Sequence, residues 1–394
     1  MEREKEYLLH LLGAYLRGEE PEIQPDADWE RLRQLAHIHN LAGVLAYLAM
    51  KYPICQDRQA QAVHRKFCMS TIVGFANRGS LAEAFSQTLS DHGIDHIMMK
   101  GFVIRDLYPV PELRSYGDID LVIRKDDRVK CHALMKEMGF AVGTDWEPVY
   151  SYTRGSEFYE IHTELLETDV SRKADCREYF HNPWTHAHCV ERNRFEFEPE
   201  YHFLYLLTHL AKHVIGQGAG IRMYLDVAVF IKHYRDSLNW GRIEEELESL
   251  CLRDFANAVL YVVQEYLGVP NPLKAKPVNP KTVEYFLEIT MEGGVFGVVG
   301  QNAGVASLKK ESRSRGGFSR VRTIMNRLFP AAATIQSRYT YLQKYPWLLP
   351  IAWIHRLVKT RGRFHDHTVE ARGIMSENKE AVQKLSRIYE AIGL

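Results

Sequence analysis

The most constraining stretch of the chain is an Asp-x-Asp pattern that runs directly into an apolar, β-branched segment. Asp118 and Asp120 lead into Leu121-Val-Ile123, which is typical of a buried strand. Residues i and i+2 of a strand project from the same face, so both carboxylates are predicted to point the same way. Like charges held so close need a cation or a shared proton. The pattern therefore predicts a site for Mg²⁺ (or Mn²⁺) that also binds the phosphates of a nucleotide.

Features upstream in the sequence support this interpretation, because an isolated Asp-x-Asp also occurs in solvated turns. Lys100-Gly101 marks a strand-to-helix junction, where a glycine lets the backbone approach a phosphate. Lys100 either contacts a triphosphate or is a solvated strand end. Arg114 and Ser115 lie in the loop before the aspartates, and Arg114 is either a bidentate phosphate clamp or part of a loop salt bridge. These four residues are the predicted nucleotide-binding set of the core.

The order of these motifs carries a resemblance. Lys100-Gly101, then Arg114 with Asp-x-Asp, then Glu160-x-His162 resembles the nucleotidyltransferase superfamily that includes DNA polymerase beta. It is more closely similar to a poorly characterised bacterial nucleotidyltransferase family with this same motif order. The core resemblance covers roughly residues 80 to 170, and a looser one extends to about residue 235. The Gly-Gly or Gly-Ser pair usual in the superfamily is replaced by Gly101-Phe102 in this chain.

The resemblance implies that Glu160 is the third carboxylate, which completes the metal site with Asp118 and Asp120 and acts as a base. Phosphoryl transfer with two metals needs such a group near the attacking hydroxyl. Glu157 and Glu164 remain the alternatives. His162, two residues along the same strand face, either hydrogen-bonds a substrate or orients Glu160.

The looser part of the resemblance lies in two predicted helices. His209 and His213 are four residues apart and share one helix face, where they either pack internally or face the nucleotide cleft. The glutamate of a zincin helix is absent after His209, so a metalloprotease is excluded. Arg222 and Asp226 have the spacing of an intrahelical ion pair. The resemblance implies that both residues border the site.

The predicted fold is α+β, with a nucleotidyltransferase-like mixed β-sheet core flanked by helical regions. Helical patterns cover residues 1–78 and 196–394, and the α/β core covers 79–195, with helices expected on one side of the sheet. Between two N-terminal helices, His37, His39 and Asn40 either form a hydrogen-bonded helix junction or face the substrate.

Composition excludes several other classes of protein. Lys plus Arg and Asp plus Glu each total 50, so no global field steers the chain to nucleic acid or membrane. The six cysteines show no CxxC spacing, which argues against a zinc ribbon and indicates a reducing compartment. The charged N-terminus lacks an apolar signal core, and no apolar run is long enough for a transmembrane helix. We therefore expect a cytoplasmic protein without a membrane span.

The resemblance implies transfer of a nucleoside monophosphate from an NTP, such as ATP, to an acceptor hydroxyl with release of pyrophosphate. A small-molecule acceptor is favoured over protein or RNA. Transfer to a protein or tRNA end stays open, because seven basic residues lie between positions 309 and 327. The alternative from another class is a non-catalytic nucleotide-binding or partner-binding module that keeps the fold.

Overall fold

The computed structural model describes most of the chain. The described residues are 1–294, except for 56, 57, 116, 168, 169, 172, 217 and 275, together with 325, 329–335, 339, 341–359 and 387–394. The basic residues predicted as a cluster at 309–327 lie outside this set.

Four helices precede the sheet: α1 (Arg3–Arg17), α2 (Trp29–Ile38), α3 (Ala42–Lys51) and α4 (Arg58–Asp91). The Asp28 carboxylate caps α2, because it accepts a hydrogen bond from the Arg31 backbone N–H at 3.0 Å. The two helices predicted at 59–74 and 80–92 are wrong as separate elements, since α4 is continuous. Glycine lowers helix stability without ending a helix, and no proline lies between the two predicted segments.

The core is a seven-stranded mixed sheet in the order β3-β4-β5-β2-β1-β7-β6. Its strands are β1 (His96–Met98), β2 (Ile119–Ile123), β3 (Ala141–Trp146), β4 (Val149–Arg154), β5 (Glu157–His162), β6 (Ala187–Glu191) and β7 (Arg194–Phe197). The central strand β2 pairs antiparallel with β1 and parallel with β5. The predicted mixed sheet is thus confirmed, as is the predicted β4–β5 hairpin. The last two strands were not predicted from the sequence.

Both faces of the central strands are covered, so the prediction of helices on one side only is wrong. Met98 and Leu121 pack in one cluster with α4 residues such as Phe85 and with the helix α6 (Arg128–Glu137). Ile97 and Val122 point the other way, into a larger cluster that joins the N-terminal and C-terminal helices. All five residues of β2 are buried, as expected for a strand covered on both faces.

Short helices α5 (Gly101–Ile104) and α7 (Cys176–Tyr179) lie within the core region. The helices that follow the sheet are α8 (Pro199–Ile215), α9 (Ile221–Tyr234), α10 (Trp240–Ser249), α11 (Arg253–Leu267) and α12 (Pro280–Gly293). Further along are α13 (Ala332–Ile335), α14 (Tyr341–Lys344) and α15 (Leu349–Lys359). Within the part of the chain that the structure describes, no helix combines the length and apolarity needed to cross a membrane.

Candidate active site

Two neighbouring parallel strands bring the main acidic side chains together. Asp120 on β2 is the direct register partner of Glu160 on β5. Directly paired residues project from the same face of a sheet with their Cβ atoms close together. Asp120 is 5 % exposed, whereas Glu160 keeps 30 % of its side chain accessible. The strand pairing therefore places one buried and one accessible carboxylate side by side.

His162 completes this group. Its Nε2 atom lies 3.1 Å from Asp120 Oδ1 and 3.8 Å from Glu160 Oε2, and its side chain is 3 % exposed. Potential ligand atoms of Asp120, Glu160 and His162 lie within 4.8 Å of one another. Among the described residues, this is the cluster of acidic, histidine and cysteine side chains that could hold a metal ion. His162 was predicted either to hydrogen-bond a substrate or to orient Glu160, and it lies closer to Asp120 than to Glu160.

Asp118 lies just before β2, because the strand begins at Ile119 and not at the predicted position 118. Asp118 is exposed and is not part of the three-residue cluster. The negative charge of Asp120 nevertheless raises the pKa of the Asp118 carboxyl. The two aspartates therefore act on each other electrostatically, as the Asp-x-Asp pattern predicts.

Lys100 neutralises part of this negative charge. Its Nζ atom lies 2.6 Å from Asp120 Oδ1, the same oxygen that His162 contacts. Lys100 has φ 53° and ψ −124°, a conformation that side-chain-bearing residues rarely adopt, and it immediately precedes α5. The strand-to-helix turn therefore directs the lysine side chain back onto the acidic cluster. Neither predicted alternative for Lys100 included this contact.

The pKa values of the three clustered side chains shift in different directions. Burial opposes ionisation of Asp120, but the Lys100 ammonium and the His162 hydrogen bond hold the pKa of its carboxyl well below the usual range. Burial, reinforced by the charge of Asp120, raises the pKa of Glu160 to about 7. Burial also lowers the pKa of His162. Glu160 is therefore a group that exchanges a proton near neutrality.

Arg114 is buried and forms a bidentate ion pair with Asp226 on α9. Its Nη2 and Nε atoms lie 2.8 Å and 3.2 Å from the two carboxylate oxygens. The Tyr108 hydroxyl donates a third hydrogen bond to Asp226 at 2.7 Å. Arg114 was predicted to be either a phosphate clamp or part of a salt bridge. The structure supports the salt bridge, because Asp226 occupies the guanidinium. We call this trio the Arg114 clasp.

The predicted intrahelical ion pair between Arg222 and Asp226 is wrong. Arg222 instead donates from Nη1 to the Ser115 carbonyl at 2.9 Å. The Ser115 hydroxyl donates to the Asn40 carbonyl at 2.8 Å, so it is not directed at a ligand. Asp226 is already saturated by the Arg114 clasp, which leaves Arg222 to hold the loop before Asp118.

Gly101 is needed for packing behind the turn. The residue is buried, and a Cβ atom at this position would overlap with Nη1 of Arg114 and lie 3.1 Å from its Cζ. Its predicted role in approaching a phosphate stays a prediction. The observed reason for a glycine at this position is the close approach of the buried guanidinium.

Helix α8 carries residues that interact electrostatically with the acidic cluster and with Lys100. His209 and His213 contact each other through their Nε2 atoms, which are 3.0 Å apart. Burial lowers the pKa of both, and the nearby charge of Lys100 lowers it further. Lys212, on the same helix, lies 3.8 Å from Glu167. The histidine pair thus lies near the site, but its side chains are engaged with each other.

Tyr108 was missed by sequence reasoning. No local pattern marks a tyrosine whose partner is 118 residues away in the chain. His39, in contrast, matches the predicted helix junction. Its Nε2 lies 3.2 Å from the Met291 carbonyl, and its Nδ1 accepts the Ile221 backbone N–H at 3.2 Å. This contact ties the loop after α2 to the start of α9 and the end of α12.

A mixed sheet with acidic residues on adjacent strands, next to a strand-turn-helix unit, is the arrangement expected of a nucleotidyl-transferring protein. Comparison with protein families matches residues 25–268 to the family described as uncharacterised nucleotidyltransferase. The match covers more than half of the chain, so the protein belongs to this family. The resemblance and the nucleotidyltransferase-like α+β fold are thereby confirmed. Comparisons with curated proteins and with solved structures find no match.

Proposed function

We propose that this protein is a metal-dependent nucleotidyltransferase that transfers a nucleoside monophosphate from an NTP to an acceptor hydroxyl and releases pyrophosphate. The observation that carries the proposal is the direct pairing of Asp120 with Glu160 on parallel strands. Family membership supports nucleotidyl transfer in general. The zero net charge supports a small-molecule acceptor over RNA, and we keep the cytoplasm as the expected location.

The donor set suits a divalent cation. Two carboxylates and an imidazole converge, and Asp118 adds a third carboxylate close by. Burial and, after it, the negative charge of Asp120 raise the pKa of Glu160, so a nearby cation would favour its ionised form. Asp118, Asp120 and Glu160 would hold Mg²⁺ or Mn²⁺, with His162 within reach. The bound ion would stabilise charge on the attacking and leaving oxygens.

Glu160 is the residue proposed to accept the proton of the acceptor hydroxyl. Its carboxyl keeps 30 % of the side chain accessible, so it can meet a substrate, and a nearby cation would keep it ionised and able to accept a proton. The acceptor oxygen forms a bond to the α-phosphorus while the bond from that phosphorus to the pyrophosphate oxygen breaks. The electron pair of the broken bond leaves on pyrophosphate, and the hydroxyl proton goes to Glu160.

One observation favours the alternative of a non-catalytic module. The Lys100–Asp120 contact supplies a positive charge at the position where a catalytic site needs a metal. A protein that binds nucleotides without turnover would keep such a pair permanently. The two functions therefore differ in whether nucleotide binding depends on a metal and leads to pyrophosphate release.

The test is to incubate the purified protein with each NTP, with and without Mg²⁺ or Mn²⁺, and with a panel of hydroxyl-bearing small molecules. We expect metal-dependent pyrophosphate release that Asp118→Ala and Asp120→Ala each abolish. Calorimetric titration of each NTP provides the control for binding without chemistry. Unchanged NTP turnover in both variants would reject the proposed active site. Binding that is independent of metal, without pyrophosphate release, would establish the non-catalytic alternative.

A further inference from the structure

Asp120 receives two hydrogen-bond donors on a single oxygen. Lys100 Nζ lies 2.6 Å and His162 Nε2 lies 3.1 Å from Oδ1. In the part of the chain that the structure describes, no donor reaches the other oxygen, Oδ2. A cation that approaches this carboxylate therefore finds the Lys100 ammonium already bound to one of its two oxygens. Two cations cannot share a carboxylate oxygen at such distances without strong repulsion.

The backbone of Lys100 is held in a fixed turn, and its long side chain reaches Asp120 from that point. The residue follows β1 and precedes α5, and the Met99 N–H donates to the Asp120 carbonyl at 3.1 Å. Its φ of 53° and ψ of −124° are unfavourable for a residue with a side chain. Strain of this kind persists where surrounding structure enforces it, and it concentrates at functional sites. The turn thus anchors a long cationic side chain, with several rotatable bonds, next to Asp120.

A second lysine near the site is held differently. Lys212 on α8 lies 3.8 Å from Glu167, and no contact joins it to Asp120 among the described residues. Both lysines influence the charge of Glu160, but Lys100 alone of the two contacts the acidic cluster directly. Lys212 is therefore a natural control for the general effect of positive charge on this site.

We propose that Lys100 is an internal counter-cation, which occupies the place of the divalent cation beside Asp120 and moves to the triphosphate when metal and nucleotide bind together. The inference rests on the proposed function for its nucleotide and metal. It makes Lys100 a positioning residue that couples the two ligands. Metal alone must displace the ammonium without compensation, whereas the triphosphate offers the ammonium a new anionic partner.

The first test measures Mn²⁺ affinity without nucleotide, by electron paramagnetic resonance of the free ion and by calorimetry. Lys100→Met and Lys100→Gln remove the charge and are expected to bind Mn²⁺ at least about tenfold more tightly than the wild type. Lys100→Arg keeps the charge and should bind as weakly as the wild type. Lys212→Met should change the affinity much less than Lys100→Met.

The second test uses the unmodified protein and does not depend on the folding of any variant. Adding a non-hydrolysable NTP analogue should raise its Mn²⁺ affinity by roughly 5- to 150-fold, the range seen for coupled sites. The same analogue should raise the affinity of Lys100→Gln by a smaller factor, since no ammonium has to be displaced. Circular dichroism of each variant verifies that it is folded.

The outcomes separate this inference from the proposed function. If the wild type binds Mn²⁺ but Lys100→Met and Lys100→Gln bind it no more tightly, the counter-cation role is wrong and the metal site stands. If the NTP analogue raises the Mn²⁺ affinity of the wild type and of Lys100→Gln by the same factor, the proposed movement of Lys100 to the triphosphate is also wrong. If the wild type binds no Mn²⁺ with or without the analogue, both proposals fail together.

Discussion

Two buried aspartates, each paired with a cation, lie near the Lys100–Gly101 turn, and they differ in how far their carboxylates are satisfied. Asp226 accepts from Arg114 Nη2 at 2.8 Å, Arg114 Nε at 3.2 Å and the Tyr108 hydroxyl at 2.7 Å, so both of its oxygens are used. Within the described ranges of the chain, Asp120 receives its donors on one oxygen only. We expect the saturated carboxylate to be structural and the unsaturated one to bind a ligand.

The exposure of the two cations shows the same difference. The Arg114 side chain is 4 % exposed, whereas that of Lys100 is 15 % exposed. An ammonium that reaches solvent can exchange partners at lower cost than a guanidinium held in a dry bidentate pair. Substitution of Asp120 should therefore mainly lower activity, whereas substitution of Asp226 should mainly lower folding stability.

The largest effect is predicted for Asp120→Asn, which should lower nucleotidyl transfer at least about a thousandfold, since a metal contributes several kcal/mol to the transition state. The loss of folding stability should be small, because Lys100 can reach water. Initial rates of pyrophosphate release measure the effect. Asp95→Asn is the matched control, because Asp95 likewise pairs with a cationic side chain, Arg124 at 2.7 Å, but lies outside the acidic cluster. Activity of Asp120→Asn within tenfold of the wild type would contradict the assignment.

Asp226→Asn should show the opposite pattern. Removing one partner leaves Arg114 buried without a counter-charge, which costs about 3–5 kcal/mol of folding free energy. Urea unfolding followed by circular dichroism measures this loss as a lower midpoint. Asp120→Asn serves as the internal comparison and should lose less. Equal losses of stability in the two variants would show that the distinction between a saturated and an unsaturated carboxylate has no energetic basis here.

Different kinds of reasoning pointed to the two acids on neighbouring strands. Strand periodicity and the apolar segment after the Asp-x-Asp pattern predicted Asp120, whereas Glu160 was implied by the family resemblance, with Glu157 and Glu164 as alternatives. Their direct pairing could not be deduced, since it depends on β2 and β5 being neighbours in a parallel register. The same limit applies to β6 and β7, which are short and rich in polar residues.

Contacts between distant elements were the main failure of sequence reasoning. Arg114 and Asp226 are 112 residues apart, and nothing local distinguishes an arginine that clamps phosphate from one that binds a distant aspartate. The i, i+4 spacing of Arg222 and Asp226 predicted a helix-surface ion pair. Burial changed that outcome, because a buried carboxylate selects the partners that satisfy it most completely. Spacing rules hold best for side chains that solvent reaches.

A third prediction concerns Gly101, which lies between the Lys100–Asp120 pair and the Arg114–Asp226 pair. Gly101→Ala introduces a methyl group that overlaps with Arg114 Nη1, so the guanidinium must shift and the clasp must loosen. We expect a loss of about 1–3 kcal/mol of stability, as for other overpacked sites. Urea unfolding measures it.

Gly74→Ala is the matched control for this substitution. Gly74 lies within α4, and a Cβ atom at this position meets no atom within 4 Å. Alanine is the better helix former, so Gly74→Ala should leave stability unchanged or raise it by about 0.5–1 kcal/mol. If both alanine variants behave alike, the close approach of Arg114 to Gly101 does not constrain the turn.

The smallest predicted effect tests how rigid the region behind the clasp is. His39 is fully buried, and its Nδ1 already accepts the Ile221 N–H, so a proton on that atom would face a donor. Burial lowers the pKa of His39 from 6.5 to about 4. Between these values the unfolded chain binds more protons than the folded one, so stability rises with pH and is lost as the pH falls below about 6.5. From pH 7 to pH 5.5 His39 should cost about 1 kcal/mol.

The measurement is the urea unfolding free energy at both pH values for the wild type and His39→Gln. Other buried histidines, such as His64 and His202, also have lowered pKa values, but they contribute equally to both proteins and cancel in the difference. The wild type should therefore lose about 1 kcal/mol more than the variant on acidification. Identical losses would mean that the junction opens to water and lets His39 accept its proton. The loop that carries Ser115 is attached to the Asn40 carbonyl beside this junction, so that loop would then be anchored to a segment that opens to water.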